Sequence, residues 1–191
     1  MEDIEPLAVI ELGNPRLRQV AVAIPVNSDS PPSPLPNPQI QTLIDQLLLT
    51  VKQSNGVGIA APQVGESVRL FIVASHPNPR YPTAPEMEPT PMLNPRIVNH
   101  SPETEKGWEG CLSVPGIRGL VPRHTTIQVQ YTGRDGKLYQ QTLTDFVARI
   151  FQHELDHLDG IVFLDRVETT HDLMSEQEYQ TQVIDGSLSK K

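Results

Sequence analysis

Residues 152–160 read Gln152-His153-Glu154-Leu155-Asp156-His157-Leu158-Asp159-Gly160. Two histidines four positions apart on a helix share one face, with Cβ atoms roughly 5–6 Å apart. That spacing lets two neutral imidazoles hold one metal ion, with Glu154 beside them to take a proton from water. The surrounding residues predict the helix, from about Thr144 to Leu158. Phe146, Val147, Ile150, Phe151 and Leu158 form its apolar face, and Gly160 marks its stop.

Upstream, Thr125–Tyr131 and Leu138–Thr144 flank Gly133-Arg134-Asp135-Gly136, a hairpin signal. Val68–Ala74, with the β-branched pair Ile72 and Val73, predicts a buried strand, and Met92–His100 another. Asn37 and Pro38 suit the N-cap and first position of an earlier helix. Ile40, Leu43, Ile44, Leu47, Leu48 and Val51 give it a buried face, and Asn55-Gly56 ends it. The order helix, strands, helix predicts an α+β fold, with antiparallel sheets packed around a central helix carrying the HExxH metal motif. Twelve of the 19 prolines lie in 25–38 and 77–91, which read as two extended surface loops. We expect a single catalytic domain over 1–170 and a polar C-terminal tail over 171–191 that includes a short helix.

The 191 residues suffice for one core without disulfide support. The net charge of −8 argues against nucleic acid as the main partner. No stretch approaches the roughly 18–20 apolar residues of a membrane span. The acidic N-terminus, Met1 to Glu5, is not a secretory signal. A lone cysteine, Cys111, forms no intrachain disulfide, which fits a reducing cytoplasm.

Two histidines need a third protein ligand to make a catalytic centre. In the extended pattern H-E-x-x-H-x-x-G-x-x-H the eleventh position here is Phe163, which cannot bind a metal, so a metzincin-type protease is disfavoured. Glu168 is a downstream carboxylate candidate. Cys111, in Trp108-Glu109-Gly110-Cys111-Leu112-Ser113, is the better one: a Cys/His/His set explains both the lone thiol and the two-histidine helix.

Three segments together resemble the signature motifs of the peptide deformylases: Gly56-Val57-Gly58-Ile59-Ala60-Ala61-Pro62-Gln63, Glu109-Gly110-Cys111-Leu112-Ser113, and Gln152 to Gly160. Asn14-Pro15-Arg16-Leu17-Arg18 and Val121-Pro122-Arg123 are similar to the family as well, so the likeness runs from about 7 to 168. It implies that Cys111, His153 and His157 bind one divalent metal ion. A thiolate and two imidazoles leave that ion a net positive charge and an open position for water, whose pKa falls towards neutrality. Glu154 would be the base, and the Gln63 side chain and the Leu112 backbone N–H the oxyanion donors. Gly56, Val57, Gly58, Glu109, Gly110, Arg118, Phe146 and Ile150 would line the substrate site. The residues themselves add a pairing: Arg149, one turn before His153, is expected to hold Glu109 and steady the Cys111 loop.

The resemblance implies hydrolytic removal of the N-formyl group from the N-terminal methionine of newly synthesised proteins, releasing formate. It implies ferrous iron as the native metal, with zinc, nickel or cobalt as substitutes. N-formylmethionyl peptides would be the partners, in the cytoplasm, with transient ribosome association. Two other readings compete. A zinc endopeptidase would cleave unformylated peptides, and a non-catalytic metal-stabilised binding domain would hold metal without turnover.

Overall fold

The computed structural model describes residues 4–26 and 37–186. Most of the first proline-rich stretch therefore lies outside the described residues. Helix α1 spans Pro38–Gln53, and the Asn37 side chain accepts a hydrogen bond from the Gln39 N–H. Ile40, Leu43, Ile44, Leu47 and Val51 are buried along one face. The expected stop is present, but Asn55 rather than Gly56 takes the left-handed conformation, at φ 53°. The Gly56 N–H then bonds back to the Val51 carbonyl at 2.9 Å, closing the helix end.

Among the described residues eight strands follow: β1 (Gly58–Ala60), β2 (Leu70–Val73), β3 (Thr90–His100), β4 (Thr104–Cys111), β5 (Val114–His124), β6 (Thr126–Thr132), β7 (Leu138–Thr144) and β8 (Leu173–Ser175). They form two antiparallel sheets, one ordered β1-β2-β3-β6-β7 and the other β4-β5-β8. All four residues of β2 are buried, as its unbroken apolar run requires. The β6–β7 hairpin closes at Thr132 opposite Leu138, with Gly136 at φ 77° in its turn.

Helix α2 (Asp145–Leu158) packs across the larger sheet. Phe151 meets Phe71 of β2 edge to face, with ring centroids 5.1 Å apart, and both rings are fully buried. Burying a side chain of this size contributes roughly 1.5–3 kcal/mol. Gly160 ends the segment at φ 74°, and a Cβ there would lie 2.7 Å from the Arg18 carbonyl oxygen. Both the conformation and the close approach therefore demand glycine.

β4 and β5 went unassigned by periodicity. Their pairing runs from Thr104 opposite His124 to Cys111 opposite Val114, with an irregularity between Glu109 and Cys111. Such a break re-aims side chains, and here it falls immediately before the cysteine. The C-terminal segment holds a short helix, α3 (Glu176–Tyr179). It also supplies β8, which pairs with β5 from Ile117 to Gly119.

Candidate active site

The buried stripe of α2 carries more than apolar side chains. Glu154, Asp156 and His157 are each under a tenth exposed. Sγ of Cys111, at the end of β4, lies 3.2 Å from His157 Nε2. Cys111, His153 and His157 each present one ligand atom, all within 4.8 Å of one another. The structure thus brings together three side chains from two sheet- and helix-borne segments more than 40 residues apart in sequence.

Glu109 organises this cluster. Its Oε2 lies 2.8 Å from His153 Nδ1, which leaves Nε2 for the metal side. Arg123 donates to both oxygens of Glu109, at 2.9 and 3.0 Å, and Arg149 donates to Oε1 at 3.0 Å. The expected Arg149–Glu109 pair is therefore present. Arg149 also donates to the carbonyls of Val121 and Glu105, both at 2.7 Å. Arg123 reaches on to Asp156 of α2 at 2.6 Å, tying β5 to the metal-side helix. Burial alone would push the Glu109 carboxyl up, but the Arg123 guanidinium and the His153 hydrogen bond hold it well below the usual carboxylate range.

Gln63 sits in a short 3-10 turn after β1 and is 2% exposed. Its Oε1 accepts the Ala60 N–H at 2.8 Å, which orients the amide. Nε2 then points at the cluster, 3.4 Å from Cys111 Sγ and 3.2 Å from Ser113 Oγ. Glu154 Oε2 is buried with no hydrogen-bond partner. Burial pushes this carboxyl up to about 7, against the opposing influence of His153. An isolated buried carboxylate is costly unless something balances it.

These residues fit a metal ion. Burial disfavours a charged His153, yet hydrogen bonds with Cys111 and Glu109 raise its pKa well above the ordinary value. The fit rests on the donor set: a thiolate with two imidazoles suits a divalent ion. Phe163 is fully buried, with its ring stacked 6.1 Å from His153. The residue that cannot be a ligand therefore packs against a candidate one. Glu168 is not in the cluster; it pairs with Lys106 at 2.7 Å on the surface, which removes it as a ligand candidate.

A cleft opens over the cluster. Gly56, Val57, Gly58, Glu109, Gly110, Leu112, Arg118, Phe146 and Ile150 line it. The reason for Gly58 differs from simple ligand approach. A Cβ there would stand 2.5 Å from Glu154 Oε1 and 2.9 Å from Ile150 Cγ2. Arg80, Tyr81 and Trp108 also line the cleft and were missed. Asn78 accepts the N–H groups of Arg80 and Tyr81, and this turn swings the second proline-rich stretch against the site. Only the Asn78-Pro79 dipeptide hinted at it.

The cleft, the side chains of Cys111, His153 and His157 and the unpartnered carboxyl of Glu154 place the protein among the metallohydrolases. A family profile for polypeptide deformylase matches residues 6–172. A peptide deformylase 2 of Nostoc sp. is 63% identical over 92% of this chain and 94% of its own length. One from Shewanella oneidensis is 43% identical over 93% of each. A class I type b peptide deformylase from Acinetobacter baumannii, solved with Met-Ala-Ser bound, superposes with a TM-score of 0.79 at 43% identity, covering 85% of this chain and 98% of that one. The Thermotoga maritima enzyme gives 0.72 at 32% identity, over 86% and 99%. The chain belongs to the polypeptide deformylase family, whose members are metal-dependent hydrolases. Among the described residues, no helix is long and apolar enough to cross a membrane.

Proposed function

We propose that the chain removes the N-formyl group from the N-terminal methionine of newly synthesised proteins through the cleft above α2. The observation that carries this reading is the meeting of Cys111, His153 and His157 beside the unpartnered oxygen of Glu154. The three would hold the metal ion. When bound, it supplies a Lewis acid and lowers the pKa of water towards neutrality. Glu154 takes the proton of the attacking water and returns it to the departing amine. Gln63 Nε2, with its amide set by Ala60, and the Leu112 backbone N–H donate to the charge developing on the formyl oxygen.

β1 is an edge strand of its sheet, so its free edge can pair with an extended peptide entering past Gly56 and Gly58. Val57, Phe146 and Ile150 offer an apolar wall for the methionine side chain. Glu109 and Gly110 shape the opposite wall, where a Cβ on Gly110 would fall 2.5 Å from Arg118 Nη1. A formyl carbon bears only hydrogen, so a tight metal pocket admits it and excludes longer acyl groups. Ferrous iron is the native metal in this reading, with zinc, nickel or cobalt able to replace it. The setting is the cytoplasm, with transient contact to the ribosome. The catalytic unit in this reading is residues 1–170, with 171–191 a polar C-terminal tail.

The test is formate release from a formyl-Met dipeptide by anaerobically prepared, iron-loaded protein beside Glu154→Ala. Turnover by the parent, and a loss of about 10²–10⁴-fold in the variant with metal retained, supports the assignment. Cleavage of unformylated peptides would instead indicate an endopeptidase. Bound metal without any turnover would indicate a binding domain.

A further inference from the structure

Arg118 is 2% exposed, although it lines the cleft. Its guanidinium is already engaged. Nε and Nη2 donate to the two carboxylate oxygens of Glu176, at 2.5 and 2.9 Å, and Nη1 donates to the Tyr81 hydroxyl at 2.8 Å. Tyr81 and Tyr179 sandwich it, with their ring centroids 5.4 and 4.9 Å from Cζ. Tyr179 is anchored in turn, its hydroxyl donating to the Arg80 carbonyl at 3.1 Å and its ring meeting Trp108. The second proline-rich stretch and the C-terminal helix thus converge on one cation. Arg118, Arg80, Gly110 and Leu112 also line an adjoining hollow that Glu176 helps to close, so a peptide leaving the cleft passes this group.

A planar guanidinium would receive a carboxylate in bidentate fashion. Here that geometry is consumed from within the chain. We propose that Glu176 is a specificity-determining residue: by occupying Arg118 it denies the cleft an anion receptor, so that the site favours substrates that continue as uncharged backbone over short peptides ending in a free carboxylate. The inference rests on the deformylase reading of the cleft. It assigns to the C-terminal segment a role in choosing chain length.

The experiment compares a formyl-Met tripeptide as free acid and as C-terminal amide, measuring KM and kcat for the parent, Glu176→Gln and Glu178→Gln, all metal-loaded. Glutamine keeps a hydrogen-bond acceptor for Arg118 and removes the charge. Glu178 lies on the same helix, is exposed and does not touch Arg118, so its variant controls for net charge. The parent should bind the amide better. In Glu176→Gln the KM for the acid should fall about three- to fivefold relative to the amide, the scale of a partly exposed ion pair. Glu178→Gln should leave the ratio of the two as in the parent. An unchanged ratio in Glu176→Gln, or an equal shift in Glu178→Gln, overturns the proposal. Absence of formate release from both peptides by the parent would instead overturn the deformylase reading beneath it.

Discussion

Adding a single methyl group at Gly58 isolates the placement of Glu154, the proposed base, from everything else in the site. A Cβ there would lie 2.5 Å from Glu154 Oε1 and 3.0 Å from its Cδ, where ordinary contacts begin near 3.4 Å. The carboxylate would have to retreat by about 0.9 Å, since Ile150 Cγ2, at 2.9 Å, blocks the other side. Gly58 is not among the residues with positive φ, so alanine brings no backbone strain, and its pairing with Val73 survives. A misplacement of about 1 Å at a reacting group costs on the order of 10²-fold. Gly58→Ala should therefore lose about 10²-fold in kcat for formate release, with iron content by elemental analysis equal to the parent and secondary structure by circular dichroism unchanged. A kcat within about threefold of the parent would refute the geometric argument. So would a loss that tracks loss of metal, because the methyl group touches no ligand.

Glu109→Gln should lower metal affinity about 10–100-fold, since Glu109 orients His153, and competition with a chelator measures it. The same change leaves Arg123 with half its compensation in a buried setting, so unfolding stability should fall by about 3–5 kcal/mol in denaturant titration. Arg149→Ala strands the buried carbonyl of Val121, leaves that of Glu105 to solvent and loosens Glu109. A loss of about 2–3 kcal/mol and faster release of metal to a chelator should follow; unchanged metal content and stability would sink that role.

Much of this was legible locally. The α2 boundaries, the β6–β7 hairpin and the buried β2 follow from short-range periodicity and turn residues, which the structure reproduces. β4 was not readable, because its inward positions carry Glu109 and glycines where a core strand shows apolar alternation. A buried carboxylate answered by Arg123 from the next strand leaves no hydrophobic signal. Arg118 illustrates a subtler gap. Its place at the cleft was anticipated from the family, but its engagement by Glu176, 58 residues away, was not. Tyr81 and Arg80 carry no local signal, because a proline-rich stretch has no period to show which residues turn inward.

The sequence by itself determined the two-histidine helix, because i,i+4 spacing on one face follows from helix geometry alone. It also determined where that helix ends, because Gly160 can take a conformation other residues avoid. Only the tertiary structure decided that Cys111 reaches those histidines, that Glu109 steadies His153, and that Glu176 covers Arg118. Those contacts join segments dozens of residues apart. They depend on the register of β4 against β5 and of β5 against β8, and on the packing of α2, which no local pattern encodes.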